Sequence, residues 1–122
     1  KFRVADAEDL DFKAGTFDAV FAIEVLEHVY NPKKILIRIK KILKKGGYGV
    51  FLVPTDSVLF QIIWFFWTKS RGKIWKETHI QSFRNNYLTG ICKKVGLRIE
   101  VDRKFLLGML QVIKGRQECI IS

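Results

Sequence analysis

The sequence predicts an α/β fold built on a wound, largely parallel sheet, and three observations carry the prediction. Residues 17–23 are apolar except for Asp18, and the run gives way to Glu24, Glu27 and His28. A parallel strand covered by helices on both faces is apolar along its length, and ligands gather beyond the carboxyl ends of such strands. Next, Ile35, Leu36, Ile39, Ile42 and Leu43 share one face of a helix, and a further apolar run follows over residues 48–53. Finally, Leu97, Ile99 and Val101 alternate with Arg98, Glu100 and Asp102, as in a half-exposed strand at or near a sheet edge.

Taken in order, residues 1–6 alternate as a short strand, with Phe2 and Val4 on one side, and stop at the acidic turn Asp6, Ala7, Glu8, Asp9. The second strand, residues 16–23, is introduced by a turn at Ala14 and Gly15. Asn31 is placed to cap a helix whose first position is Pro32, where a missing N–H is no loss. The helix is expected to run to about Lys45, with Lys44 and Lys45 complementing its dipole and Gly46 and Gly47 supplying the left-handed stop. Residues 48–53 make a third strand that Pro54 ends, and Thr55, Asp56 and Ser57 offer caps to residues 58–67, which are apolar all round.

That segment is too short to span a bilayer, which takes about 20 apolar residues. Three readings compete for it: a lid or core helix, a subunit contact, and an interfacial membrane foot. The lid or core helix stands first, and Trp64 and Trp67 beside Lys69, Arg71 and Lys73 lend support to the last. Beyond His79, Ser82 is a candidate cap, and Tyr87, Leu88, Ile91, Cys92 and Val95 form a helical face that ends at Gly96. The edge strand comes next. Residues 105–113 read as a last strand, antiparallel to it because the link through Asp102, Arg103 and Lys104 is too short for a crossover.

The 122 residues, 48% hydrophobic and 28% charged, suit one domain with a real core. A net charge of +10 favours an anionic partner: nucleic acid, phospholipid head groups or a phosphorylated substrate. Much of the charge (Lys33, Lys34, Arg38, Lys40, Lys41, Lys44, Lys45) lies on one predicted helix, where a solvated outer face accounts for it without nucleic acid. Cys92 and Cys119 have neither metal-ligand spacing nor a disulfide framework, so a reducing, cytoplasmic setting and no metal centre are expected. Cys92 reads as a small core residue.

The ordered set of strand, strand, helix, strand, apolar helix, helix, strand, strand resembles the class I S-adenosylmethionine-dependent methyltransferases, from the third strand of their Rossmann-like sheet to its end. Residues 6–10 are similar to the adenine-binding turn, residues 17–29 to the fourth strand and its loop, residues 43–54 to the helix stop and fifth strand, and residues 78–97 to the late histidine, helix and sixth strand. The resemblance implies helices on both faces and a last strand antiparallel to the rest. It also implies S-adenosyl-L-methionine as cofactor, with Asp6 accepting from the adenine amine, the N–H of Ala7 facing a ring nitrogen, the backbone at Ala22 and Ile23 beside the methionine part, and Glu24 near the transferred methyl.

Methyl transfer is an in-line displacement in which positioning does most of the work, with a base where the acceptor must lose a proton. His28, His79 and Glu24 are the candidate catalytic groups, and Glu27 could serve as base or orient a histidine. Trp64, Trp67 and His79 are the candidate acceptor-binding residues, and the aromatic run points to a small-molecule or lipid-like acceptor reached from a membrane surface through residues 58–73. The glycines Gly46, Gly47 and Gly49 follow a helix, the wrong context for a nucleotide-cradling turn, so residues 1–122 are expected to be a partial domain without the glycine-rich half. Such a gap would leave a strand edge open, which favours a homodimer or a complementing partner. The alternative function is a basic, non-catalytic module that binds nucleic acid or a partner chain.

Overall fold

The computed structural model describes residues 1–55, 58–68, 83 and 86–118. Among these, four strands form one sheet: β1 (Phe17–Ile23), β2 (Leu43–Pro54), β3 (Leu97–Phe105) and β4 (Leu110–Gln117), in the spatial order β1-β2-β4-β3. β1 and β2 run parallel, joined by helix α1 (Pro32–Ile42), and β4 lies antiparallel to both β2 and β3. Helix α2 (Val58–Thr68) leaves the end of β2, and helix α3 (Tyr87–Lys94) precedes β3. The expected α/β architecture with an antiparallel last strand is therefore present.

Local chemistry explains the crossover. The Asn31 side chain accepts from the N–H of Lys34 at 3.1 Å, so the expected cap closes the first turn of α1. Ile35, Leu36 and Ile39 are buried against Ala22, Phe51, Val53 and Ile113 of the sheet and Leu88, Ile91 and Cys92 of α3. Thus α1 and α3 cover the same sheet face, and Lys40 Nζ donates to the Val95 carbonyl at 2.9 Å to tie them together. Burial pushes the Cys92 thiol up to about 12, which suits the inert core role read from sequence. The opposite sheet face keeps Phe21 and Ile23 exposed, and no second helical layer covers it among the described residues.

Three expectations shift. Residues 1–5 form no strand, and Phe2 and Val4 stand fully in solvent, because alternation creates a strand only where a neighbour takes up its backbone groups. Helix α1 ends at Ile42 rather than near Lys45: Leu43 already pairs with Phe17, and the register shift between Phe17 and Ala19 lets Lys44, Lys45, Gly46 and Gly47 loop out before Tyr48 rejoins the ladder. Gly46 is left-handed there, with φ +79°. The last connection lies at residues 106–109 rather than 102–104, since Asp102, Arg103, Lys104 and Phe105 all remain paired with β4. Gly108, at φ +81°, was the turn signal in that stretch.

A methyl group on Gly47 would sit 2.9 Å from the carbonyl oxygens of Asp18 and Lys44, both of them backbone that cannot yield. Gly47→Ala is therefore expected to lower stability by about 1–3 kcal/mol in urea unfolding. Arg116 braces the same loop, donating from Nη1 to the Gly46 carbonyl at 2.6 Å and from Nη2 to Glu100 at 3.1 Å. Hydrogen bonds from Arg116 and Lys114 hold the Glu100 carboxyl down to about 2.

Candidate active site

The rim at the carboxyl end of β1 collects the acidic groups. Glu24 donates its backbone N–H to the Leu52 carbonyl at 2.9 Å, which extends the β1–β2 ladder by one residue. Its φ of +52° then turns the chain sharply out of the sheet. A left-handed conformation at a non-glycine residue costs on the order of 1 kcal/mol and collects at functional sites. The Glu24 carboxylate is exposed at this corner, whereas Ala22 faces the core and Ile23 the open face.

Beyond it, the 3-10 turn Leu26–His28 buries Leu26 and Glu27 and leaves His28 partly exposed. Glu27 is only 2% exposed, and its Oε2 has no hydrogen-bond partner. Desolvation raises the Glu27 carboxyl above its ordinary value against the smaller opposing effect of the backbone and of His28, and Glu24 adds to the rise. His28 Nε2 lies 3.8 Å from Glu27 Oε1, so the buried carboxyl sits behind the imidazole.

The turn Ala7–Asp9 is fastened to this rim by a residue that sequence reasoning passed over. Glu8 Oε1 accepts from the N–H groups of Tyr30 at 2.8 Å and Asn31 at 3.3 Å, joining the acidic turn to the loop that leads into α1. Arg38 reinforces the contact by donating to the Leu10 carbonyl at 3.1 Å. Asp6 caps the turn, its Oδ1 accepting from Glu8 N–H at 2.8 Å, which leaves Oδ2 directed to solvent. Ala7 packs against the core cluster. Ala22, Ile23, Glu24 and His28 thus follow one another at the end of β1, and Asp6 and Ala7 sit in the turn that Glu8 fastens to the loop at Tyr30 and Asn31. Two carboxylates, Asp6 and Glu8, two residues apart in one turn were the only cue that Glu8 could reach elsewhere.

Trp64 and Trp67 lie on α2, which leaves the same end of the sheet after Pro54, and their rings are 5.5 Å apart. Their helix shares no extensive contact with the sheet or the other helices among the described residues. His79 lies outside the described residues. Elsewhere, within β3, Asp102 accepts from Thr89 Oγ1 and Gln111 Nε2, each at 2.7 Å. Gln111 is fully buried and its Oε1 is unpartnered. Nothing in the spacing of these three residues announced that α3, β3 and β4 meet in a polar cluster.

A parallel pair with an appended antiparallel hairpin, an acidic corner at the end of the first strand and a second acidic turn fastened to the loop into α1 define an α/β domain of Rossmann-like type. Residues 1–51 match the methyltransferase domain family, in keeping with the resemblance to the class I S-adenosylmethionine-dependent methyltransferases. A protein of Methanocaldococcus jannaschii is 34% identical over 83 residues, 67% of this chain and 40% of that protein. A ubiquinone biosynthesis O-methyltransferase of Xanthomonas axonopodis pv. citri is 47% identical over 47 residues, 38% of this chain and 20% of that enzyme. An S-adenosylmethionine-dependent methyltransferase of Thermotoga maritima superposes with a TM-score of 0.72 at 20% identity, over 93% of this chain and 62% of the other, a likeness of fold. The chain therefore spans less than half the length of these two curated relatives.

The cofactor of this family is S-adenosylmethionine, and the donor set fits its adenine and sulfonium ends. Asp6 keeps a free carboxylate oxygen for an exocyclic amine, and the exposed Glu24 carboxylate suits a neighbouring cation.

Proposed function

We propose that the protein transfers a methyl group to a small, apolar or lipid-like acceptor, with residues 1–122 supplying the adenine-facing and acceptor-facing side of the site. The observation that carries this reading is the Glu8 bridge, because it ties the Asp6 turn to Tyr30 and Asn31 in the loop that follows the Glu24 corner. When bound, S-adenosylmethionine supplies an electrophilic methyl whose sulfur departs as a neutral thioether. Asp6 and the Ala7 N–H select and orient the adenine, while Ala22 and Ile23 offer the flat backbone of a strand end. Glu24 places negative charge beside the sulfonium centre. His28 is the candidate base, since its imidazole is partly exposed at the rim and backed by Glu27.

The acceptor assignment rests on α2. It carries no acidic or basic residue in its end turns, its Ile62, Ile63, Phe65 and Phe66 are about half exposed or more, and it begins four residues after Pro54 at the rim. An apolar helix left in that state suits an apolar acceptor and contact of residues 58–73 with a membrane surface, in keeping with a cytoplasmic, peripheral location. On the other side, β1 pairs only with β2 among the described residues, and its second edge is available to another copy of the chain.

Titration of S-adenosylmethionine into the protein tests the site. Saturable heat is expected, and Asp6→Ala is expected to weaken binding by roughly tenfold or more, the scale of one lost charge-assisted hydrogen bond. Equal affinity of the two proteins would remove Asp6 from the site, and heat without saturation would remove the site itself.

A further inference from the structure

We infer that the β3–β4 turn is a second membrane-docking point, which works with α2 to seat the protein on an anionic lipid surface; this inference rests on the lipid-facing reading of α2 above. The turn presents Phe105, Leu106 and Leu107 at 41%, 58% and 84% exposure. Leu106 and Leu107 both hold left-handed backbone, with φ of +50° and +56°, where asparagine or glycine would be the unstrained choice. Two leucines kept in strained, solvent-facing positions gain nothing from the fold of this chain. Such a pair gains free energy only when another apolar phase receives it.

The position of the turn supplies the rest of the argument. The Thr55 N–H donates to the Met109 carbonyl at 2.9 Å and the Thr55 hydroxyl to the Gly108 carbonyl, so the turn is fastened to the segment that enters α2. The apolar turn and the apolar helix therefore issue from one end of the sheet. Arg103 and Lys104, both exposed, stand directly before the turn and make no ion pair among the described residues. With Lys69, Arg71 and Lys73 following α2 in sequence and a net charge of +10, apolar tips with basic residues beside them in sequence match a bilayer carrying acidic head groups. The 11 residues of α2 reach about 16 Å, enough to lie in an interface and too short to cross it.

Co-sedimentation with vesicles of phosphatidylcholine containing phosphatidylglycerol, compared with vesicles of phosphatidylcholine alone, tests the proposal. Binding is expected to the acidic vesicles and to fall with salt. Leu106→Asn with Leu107→Asn is expected to reduce it by about tenfold or more, from the lost apolar insertion. Because asparagine tolerates left-handed backbone, this variant is expected to melt no lower than the parent, which separates lost docking from lost folding. Arg103→Gln with Lys104→Gln should reduce binding by roughly tenfold at low salt. If the turn variants bind as the parent does while Trp64→Ser with Trp67→Ser abolishes binding, the turn is no docking point and the reading of α2 survives. If the parent binds neither vesicle, both fail. If the parent self-associates in sedimentation velocity and the turn variants do not, the face serves a second copy and the lipid assignment is overturned.

Discussion

Replacing Phe51 by alanine is expected to cost about 3–5 kcal/mol of folding stability, the largest loss open to a single side chain in this sheet. Phe51 is fully buried at the middle of β2, with Ala22 of β1 on one side and Ile113 of β4 on the other, all on the face that α1 and α3 cover. Its ring lies back over Gly49, where an added methyl would come within 2.6 Å of the ring edge. The small neighbours leave the ring a slot that no adjacent side chain can refill, so truncation leaves a cavity as well as losing apolar burial. Urea unfolding followed by circular dichroism should show a lowered midpoint with little change in slope. Phe51→Leu, which keeps most of the volume, should cost less than half as much. A loss below about 1 kcal/mol for the alanine variant would mean that α1 can collapse onto the sheet and that the core is not close-packed there.

Glu27→Gln should remove much of the pH dependence of stability on the mildly acidic to neutral side. The Glu27 carboxyl is raised in the folded state, mainly by desolvation, so the unfolded chain releases this proton first as pH rises. The folded state then holds the extra proton, and stability falls with increasing pH from near the ordinary value of 4.5 until the buried group also ionises. Above that point the full penalty of a buried charge with an unpartnered oxygen is present. The glutamine variant carries no such charge and is expected to be more stable near neutrality by roughly 1–2 kcal/mol, with a flatter profile. Thermal melts from about pH 4 to pH 8 would decide it, and parallel profiles for the two proteins would show that Glu27 does not titrate abnormally. The outcome bears on the site as well, because a carboxyl that stays neutral to higher pH carries a proton it can donate, whereas an ionised one only accepts.

Much of the scaffold was legible in the residues because it is governed by neighbours within a few positions. Asn31, Pro32 and the isoleucine stripe dictate α1 through capping and a 3.6-residue period. The alternation of residues 97–101 marks β3 as an edge, and Gly15, Gly46 and Gly96 mark turns that need positive φ. Glu24 was legible as the first polar residue past an apolar strand. Its left-handed backbone was not, since that depends on the Leu52 carbonyl holding its N–H in the ladder.

What periodicity and capping could establish was therefore the sequence of elements, the helix faces and the acidic end of the first strand, and the ordered segments carried the resemblance to methyltransferases. Contacts between distant segments settled the remainder. Glu8 reaches Tyr30 across 22 positions, Thr89 and Gln111 meet around Asp102, and the β4 ladder draws β3 out to Phe105 and so exposes the leucine turn. Residues 1–5 carry the same alternation as a strand and yet form none, because strand formation is a property of pairs. A local pattern states which face of an element is apolar; which partner takes up its backbone hydrogen bonds, and which carboxylate loses its water, depends on how the chain closes on itself.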